Sequence, residues 1–330
     1  MRMKITVIGA GNVGATTALR LAERNYADLV LVDVVDGMPQ GKALDLAEAG
    51  PVVGFDSTLT GITVNEDSGW EPTADSDIIV ITSGMARKPG MSRDDLVQTN
   101  AKIVASVARN AAKHSPKSIF VVVSNPLDAM AHVAMAASGF PRERVIGMAG
   151  ILDTARFRTF IADELNVSRS DIQAYVIGGH GDTMIPLTRL TTVGGVCVEE
   201  LIDKDRLASL VQRTRDGGAE IVGLLKSGSA YYAPSAAVTQ MVDAIVFDSH
   251  AVLPVSMYLE GEYGVNGVFT GIPCQLSAQG IERVFPIELN ADETAALHRS
   301  AEAVRDLLKV VDQNGRELGL RELTPAALLA

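Results

Sequence analysis

Short apolar runs rich in Val, Ile and Leu alternate with longer amphipathic stretches through the first half of the chain. The runs "KITVIGA", "DLVLVD", "DIIVITSG" and "KSIFVVVSNP" are nearly continuous in apolar residues, the pattern of strands buried on both faces of a parallel sheet. Between the last two, Asp94 to His114 carries Leu96, Asn100, Ile103, Val107 and Ala111 at spacings of three and four, which predicts a helix packed on that sheet. Repeated strand and helix in this order predict a doubly wound α/β domain.

The alternation stops near residue 150. A helix near Asp153 to Asn166 precedes "DIQAYVIGGHGD", "PLTRLTTVGG" and "VCVEELI". Further on, "AVLPVSMYLEGEYGVNGVFTGIPCQL" reads as strands joined by tight glycine-containing turns, hence antiparallel. Asn290 stands three positions before Glu293 as a capping pair, and Leu297, Ala301, Val304, Leu308 and Val311 then recur at four and three. That stripe predicts a long closing helix with its apolar face in the core. The expected division is a first domain over residues 1–147 and a second, mixed α/β domain with antiparallel strands and a C-terminal helix over 148–330. The tail "GRELGLRELTPAALLA" carries no readable role.

Composition narrows the partners. The chain has 330 residues, 47% of them hydrophobic, enough for substantial cores. A formal net charge of -11, with no basic run interleaved with aromatics, argues against nucleic acid. The two cysteines, Cys197 and Cys274, have no metal-ligand spacing, and no metal is expected; they fit a reducing compartment. "MRMKITVIGAGNVG" enters a strand at once, without a signal-peptide pattern, and no apolar run spans a bilayer. The expectation is a soluble, cytoplasmic protein with no membrane partner.

"GAGNVG" places Gly9, Gly11 and Gly14 in the G-x-G-x-x-G pattern, between an apolar strand and the helical "ATTALRLAER". The first glycine permits a tight turn, the second lets a pyrophosphate approach the backbone, and the third lets the helix pack closely. Ala10, Asn12 and Val13 complete the loop and the helix N-terminus, whose N–H groups favour an anion. Asp33 ends the second strand nineteen residues after Gly14, where an acid meets the ribose hydroxyls of an adenine dinucleotide. Its charge repels a 2′-phosphate, so NAD is favoured over NADP. The Rossmann-type reading rests on strand, helix and acid standing in register.

Asp153 and Arg156 lie on one helix face, and taken alone they read as a local ion pair rather than a site. In "GGHGD", His180 sits between glycines after an apolar run, where backbone approaches a ligand closely. A secondary alcohol surrenders hydride only as its hydroxyl proton leaves, and imidazole suits that exchange. Asp153 is the candidate to hold its tautomer.

Together "GAGNVG", "NPLD", "GILDTARFR", "GGHGD" and "ARKPGMSR" resemble the lactate/malate dehydrogenase family from Lys4 to about Val311, and within it the lactate-dehydrogenase-type enzymes that act on malate. The resemblance implies reversible NAD-dependent oxidation of (S)-malate to oxaloacetate, a step of the tricarboxylic acid cycle, by a homodimer or homotetramer. It implies that His180 is the acid/base, Asp153 its partner, and Arg156 the grip on the carboxylate beside the reacting carbon. Arg93 would polarise the carbonyl oxygen, Asn125 would hydrogen-bond it near the nicotinamide, and Asn100 and Val123 would line the cofactor. Ser124 departs from the Asn of many malate enzymes.

On residues alone, "ARKPGMSR" reads as a solvated cationic turn. The resemblance makes it a lid that carries Arg93 in on closure. It also sets Arg87 where lactate enzymes have Gln, so that a second substrate carboxylate finds a cation. Ala230 replaces an expected Thr and leaves room for the longer acid. Two alternatives are a lactate or other 2-hydroxy-acid dehydrogenase, which Arg87 argues against, and a non-catalytic NAD-sensing module, which has no need of His180.

Overall fold

A computed structural model describes residues 2–66, 68–85, 92–313, 315 and 318–323, with Arg93 described through its backbone alone. The first half runs β1 (Met3–Ile8), α1 (Asn12–Arg24), β2 (Ala27–Asp33), α2 (Met38–Val53), β3 (Leu59–Thr63), β4 (Ile78–Ile81), α3 (Arg93–His114), β5 (Ile119–Val122), α4 (Leu127–Ser138) and β6 (Val145–Gly147). These six strands pair in parallel in the order β3-β2-β1-β4-β5-β6. Order reverses between β1 and β4, and the crevice that opens there at the strands' carboxyl ends is where this fold takes its ligands. Ile5, Val7, Ile78, Ile79, Val80, Ile81 and Phe120 have no exposed surface, as continuous apolar strands covered by helices on both faces require.

The second half continues with α5 (Gly150–Leu165), β7 (Ile172–Gln173), β8 (Val176–Ile177), β9 (Ile185–Pro186), β10 (Thr192–Val193), β11 (Val196–Cys197), α6 (Val198–Leu201), α7 (Lys204–Leu225), α8 (Tyr232–Val246), β12 (Ala251–Glu260), β13 (Asn266–Ser277), β14 (Gly280–Val284) and α9 (Ala291–Asp312). The expected antiparallel strands are β12, β13 and β14, and they extend the same sheet beyond β6. The seam is narrow: β12 meets β6 antiparallel at Ser256 opposite Gly147. A Cβ on Gly147 would lie 2.8 Å from that of Ser256, so a glycine is needed there. A smaller second core holds Phe157, Ile161, Ile172, Val176, Val198, Leu207 and Leu210.

Two helices test the sequence stripes. On α9 the predicted Leu297, Ala301, Val304, Leu308 and Val311 are all buried, and Asn290 and Glu293 form a reciprocal capping box. On α3 the predicted Asn100, Val107 and Ala111 are buried and Leu96 and Ile103 half-buried, while the neighbouring Val97, Ala101, Val104 and Ala108 are fully buried as well. The predicted stripe picks out the flank where Ile103 and Val107 face the crevice.

Candidate active site

The glycine loop is fixed by contacts that exclude side chains. Gly9 has φ +106°, and a Cβ there would lie 2.6 Å from Thr82 Oγ1. A Cβ on Gly14 would lie 1.8 Å from the Gly9 carbonyl oxygen, which welds α1 to the turn. Gly11 differs: no described atom beyond its chain neighbours lies within 4 Å of the position its Cβ would take. The open space sits at the start of α1, whose first N–H groups have no side-chain cap. These are the free donors and the empty cradle that a pyrophosphate needs.

A cavity of about 480 Å³ continues from there between Gly9, Gly11, Asp33, Val34, Trp70 and Ser83, with Ile103 and Val107 opposite. Backbone N–H groups hold the Asp33 carboxylate in place at its edge. Oδ2 accepts from Ala10 N at 2.7 Å, and Oδ1 accepts from Val34 N and Val35 N at 2.8 and 3.1 Å. The Ser83 hydroxyl is buried in the wall without a hydrogen-bond partner among the described residues. An open cradle, a fixed acid and an orphan hydroxyl together fit an adenine dinucleotide.

Asn100 and Asn125 were expected at the cofactor. The Asn100 side chain is buried and spent on backbone: Oδ1 accepts from Met85 N at 2.8 Å, while Nδ2 donates to Met85 O at 3.1 Å and Asn125 O at 2.7 Å. Asn100 thereby fixes the segment after β4 against the one after β5. The Asn125 side chain is exposed, Val123 is buried, and Ser124 Oγ donates to Ser83 O at 2.5 Å. Asn12 and Val13 form the first turn of α1, with Val13 O accepting from Ser235 Oγ of α8 at 3.1 Å.

The other expected residues meet around one carboxylate. Asp153 sits in the first turn of α5 and is 2% exposed. Its Oδ2 accepts from His180 Nδ1 at 2.8 Å and its Oδ1 from Arg156 Nη1 at 3.1 Å. With Nδ1 committed, Nε2 is the nitrogen left to exchange a proton. Burial works against a charged imidazole. The facing Asp153 charge and its hydrogen bond outweigh burial and the opposing Arg156 charge, so the His180 pKa is raised above its ordinary value. Arg156 Nε is buried without a hydrogen-bond partner among the described residues, leaving the guanidinium a donor for a ligand. Arg87 lies outside the described residues, and of Arg93 only its place at the start of α3 is known.

The loop carrying His180 is anchored from behind. Gly178 and Gly271 exchange backbone hydrogen bonds at 2.8 and 3.0 Å, and a Cβ on Gly271 would lie 2.6 Å from Gly178 O. Gly179 N donates to Ser300 Oγ at 2.7 Å, and His180 N donates to Asp128 Oδ2 at 2.8 Å. Sequence reasoning passed over Asp128, although it stands in the quoted "NPLD".

A dinucleotide crevice on one side and a carboxylate-held imidazole beside a free guanidinium donor on the other are the equipment of a nicotinamide-dependent oxidoreductase. Residues 3–147 match the lactate/malate dehydrogenase NAD binding domain, and residues 151–314 match the lactate/malate dehydrogenase alpha/beta C-terminal domain. The chain belongs to the lactate/malate dehydrogenase family, and its cofactor is NAD. It is 56% identical to the malate dehydrogenase of Thermomicrobium roseum over 313 residues, 95% of this chain and 99% of that one. The solved malate dehydrogenase of Salinibacter ruber superposes with a TM-score of 0.89 at 50% identity, covering 96% of this chain and 99% of the other. A Cryptosporidium parvum lactate dehydrogenase, solved with lactic acid and cofactor, superposes at 0.90 with 38% identity over 94% and 98%. No described helix is long and apolar enough to cross a membrane.

Proposed function

We propose that the chain catalyses the reversible oxidation of (S)-malate to oxaloacetate with NAD. The observation that carries this is Asp153, whose two carboxylate oxygens hold His180 and Arg156 side by side. Bound NAD supplies the hydride acceptor. Arg156 grips the carboxylate next to the reacting carbon, and His180 Nε2 takes the hydroxyl proton as hydride leaves that carbon. Asp153 stabilises the resulting imidazolium. Arg93 and Asn125 polarise the oxygen, and Arg87 pairs with the distal carboxylate, whose burial without a cation costs several kcal/mol. Gly9, Ala10, Gly11, Asn12, Val13 and Gly14 cradle the pyrophosphate, Asp33 takes the adenosine ribose, and Asn100 and Val123 support the nicotinamide end. The first 147 residues form the cofactor domain and the rest the substrate domain. The setting is a cytoplasmic homodimer or homotetramer serving the tricarboxylic acid cycle.

The test compares oxaloacetate with pyruvate as oxidants of NADH, in the wild type and in Arg87→Gln. A preference for oxaloacetate of about a thousandfold in kcat/KM, about 4 kcal/mol, that shrinks or reverses in the variant supports the reading. Faster turnover of pyruvate by the wild type moves the substrate to a monocarboxylic acid. Binding of NADH without turnover of either acid makes the chain a sensor.

A further inference from the structure

Asp128 is a carboxylate that the mechanism above does not use. It stands in the first turn of α4, directly after the segment carrying Asn125, and is 4% exposed. One oxygen accepts from the backbone N–H of His180 at 2.8 Å, and the other accepts from Ser256 Oγ at 2.6 Å. Ser256 is fully buried and marks the seam where β12 meets β6. The carboxylate thus ties together the element after the cofactor strand β5, the seam of the sheet and the histidine loop.

A buried anion without a cation is expensive to keep, and a loop can be anchored by a neutral amide or hydroxyl at lower cost. The charge therefore calls for a use, and the group it faces is the histidine that must carry a proton. We infer that Asp128 is a positioning residue for the reaction, clamping the backbone of His180 and setting a second negative charge behind the imidazolium. This inference rests on His180 being the acid/base. Among the described residues, the charged groups set against His180 are Asp153 and Arg156 of α5 and Asp128 of α4, while Ser256 and Ser300 bring only hydroxyls from β12 and α9. Arg156 opposes the imidazolium, and Asp128 adds to the support Asp153 gives. Burial raises the Asp128 pKa, against the Ser256 and His180 hydrogen bonds that favour its ionised form.

The replacement Asp128→Asn keeps an acceptor for the His180 N–H and a polar partner for Ser256 while removing the charge. Ser256→Ala keeps the carboxylate but takes away a donor that holds it ionised. The imidazole of His180 is titrated by NMR in holoenzyme of the wild type and both variants, with kcat/KM for malate followed against pH alongside. The midpoint is expected to fall by about one unit in Asp128→Asn and by less in Ser256→Ala. The acid limb of the malate profile moves down by the same amount, with NADH affinity unchanged. Midpoints in both variants that coincide with the wild type overturn the inference, and an anchoring role alone predicts that coincidence. A wild type that fails to oxidise malate sinks the malate reading, while the NMR midpoints still decide the role of Asp128.

Discussion

Oδ2 of Asp153 accepts from Nδ1 of His180 at 2.8 Å, in a setting where the carboxylate is almost fully buried. The pair commits Nδ1, leaves Nε2 to exchange a proton and raises the affinity of the ring for that proton. With His180 as the proposed acid/base, malate oxidation needs Nε2 unprotonated, so its rate is expected to fall as pH drops through the raised His180 pKa. Oxaloacetate reduction needs the proton and fails as pH rises through the same value. Asp153→Asn keeps the shape and removes the charge. It is expected to lower kcat/KM by about a hundredfold or more and to shift both limbs to lower pH, leaving NADH affinity intact. Stopped-flow rates across pH check this; a loss of less than about tenfold with unmoved limbs refutes it.

The glycine loop separates a folding role from a binding role. Gly14→Ala forces a Cβ to within 1.8 Å of Gly9 O and 2.8 Å of Thr82 Oγ1, and backbone has little room to yield. It is expected to cost about 3 kcal/mol or more of stability, read as a fall in Tm. Gly11→Ala meets no atom of the described residues within 4 Å beyond its chain neighbours. Its Tm is expected to match the wild type while NADH binds about tenfold more weakly or worse, about 1.4 kcal/mol, because the methyl group enters the pyrophosphate cradle. Fluorescence titration with NADH checks the second half. Undiminished binding by Gly11→Ala would place the pyrophosphate elsewhere.

How much of this was legible beforehand follows from period and continuity. β1, β4, β5 and α9 announced themselves because their residues are uniformly apolar or regularly spaced. β3 and α2 did not. β3 contains Gly61, whose missing side chain lets α2 approach; a Cβ there would lie 2.1 Å from Pro39 O. α2 carries Gly41, Gly50 and Pro51 and leaves Leu44, Val52 and Val53 exposed, so it shows no helical stripe. At the site, the residue types of His180 and Asp153 pointed to a proton-handling pair, whereas Arg156 took its role from the family resemblance. Asp128 was not legible, because nothing in a linear sequence places a carboxylate behind a histidine 52 residues away. Arg87 took its role from the family resemblance, and its placement lies outside the described residues.

The tail, silent as sequence, has a packing role in its described part. The family match ends at residue 314, yet Leu318 is buried against the core. Leu318 O accepts from Arg109 Nη1 at 2.5 Å, Arg321 N donates to Ala136 O at 3.3 Å, and Leu323 O accepts from Tyr258 OH at 3.1 Å. These contacts strap α3, α4 and β12 together on the side away from the glycine loop. Ending the chain at Asp312 exposes that face. Burial of one leucine and a few hydrogen bonds, less the ordering entropy, amounts to about 2 kcal/mol, a few degrees in Tm. Catalysis is expected to be unchanged. An unshifted melting curve would show the strap to be idle.

A second buried histidine gives stability a pH dependence of the opposite sign. His132 on α4 lies beside Tyr258 and Phe269, with ring centroids 6.0 and 6.5 Å away, and its Nδ1 has no hydrogen-bond partner among the described residues. Burial, with no facing carboxylate among the described residues, lowers its pKa to about 4. The unfolded chain, with a histidine pKa of about 6.5, therefore binds a proton that the fold refuses. Stability from His132 is full above about pH 6.5 and drains away as pH falls toward 4, by about 3 kcal/mol in all. The His180 pair does the reverse: its raised pKa lends stability below about pH 6.5 that is lost as pH rises through the folded value. Urea unfolding of the wild type and His132→Leu at about pH 7 and about pH 4.5 separates the two. The wild type is expected to lose about 2 to 3 kcal/mol more than the variant over that interval. Parallel losses in the two proteins would mean that His132 takes up its proton inside the fold, as a buried imidazole with an unseen acceptor would.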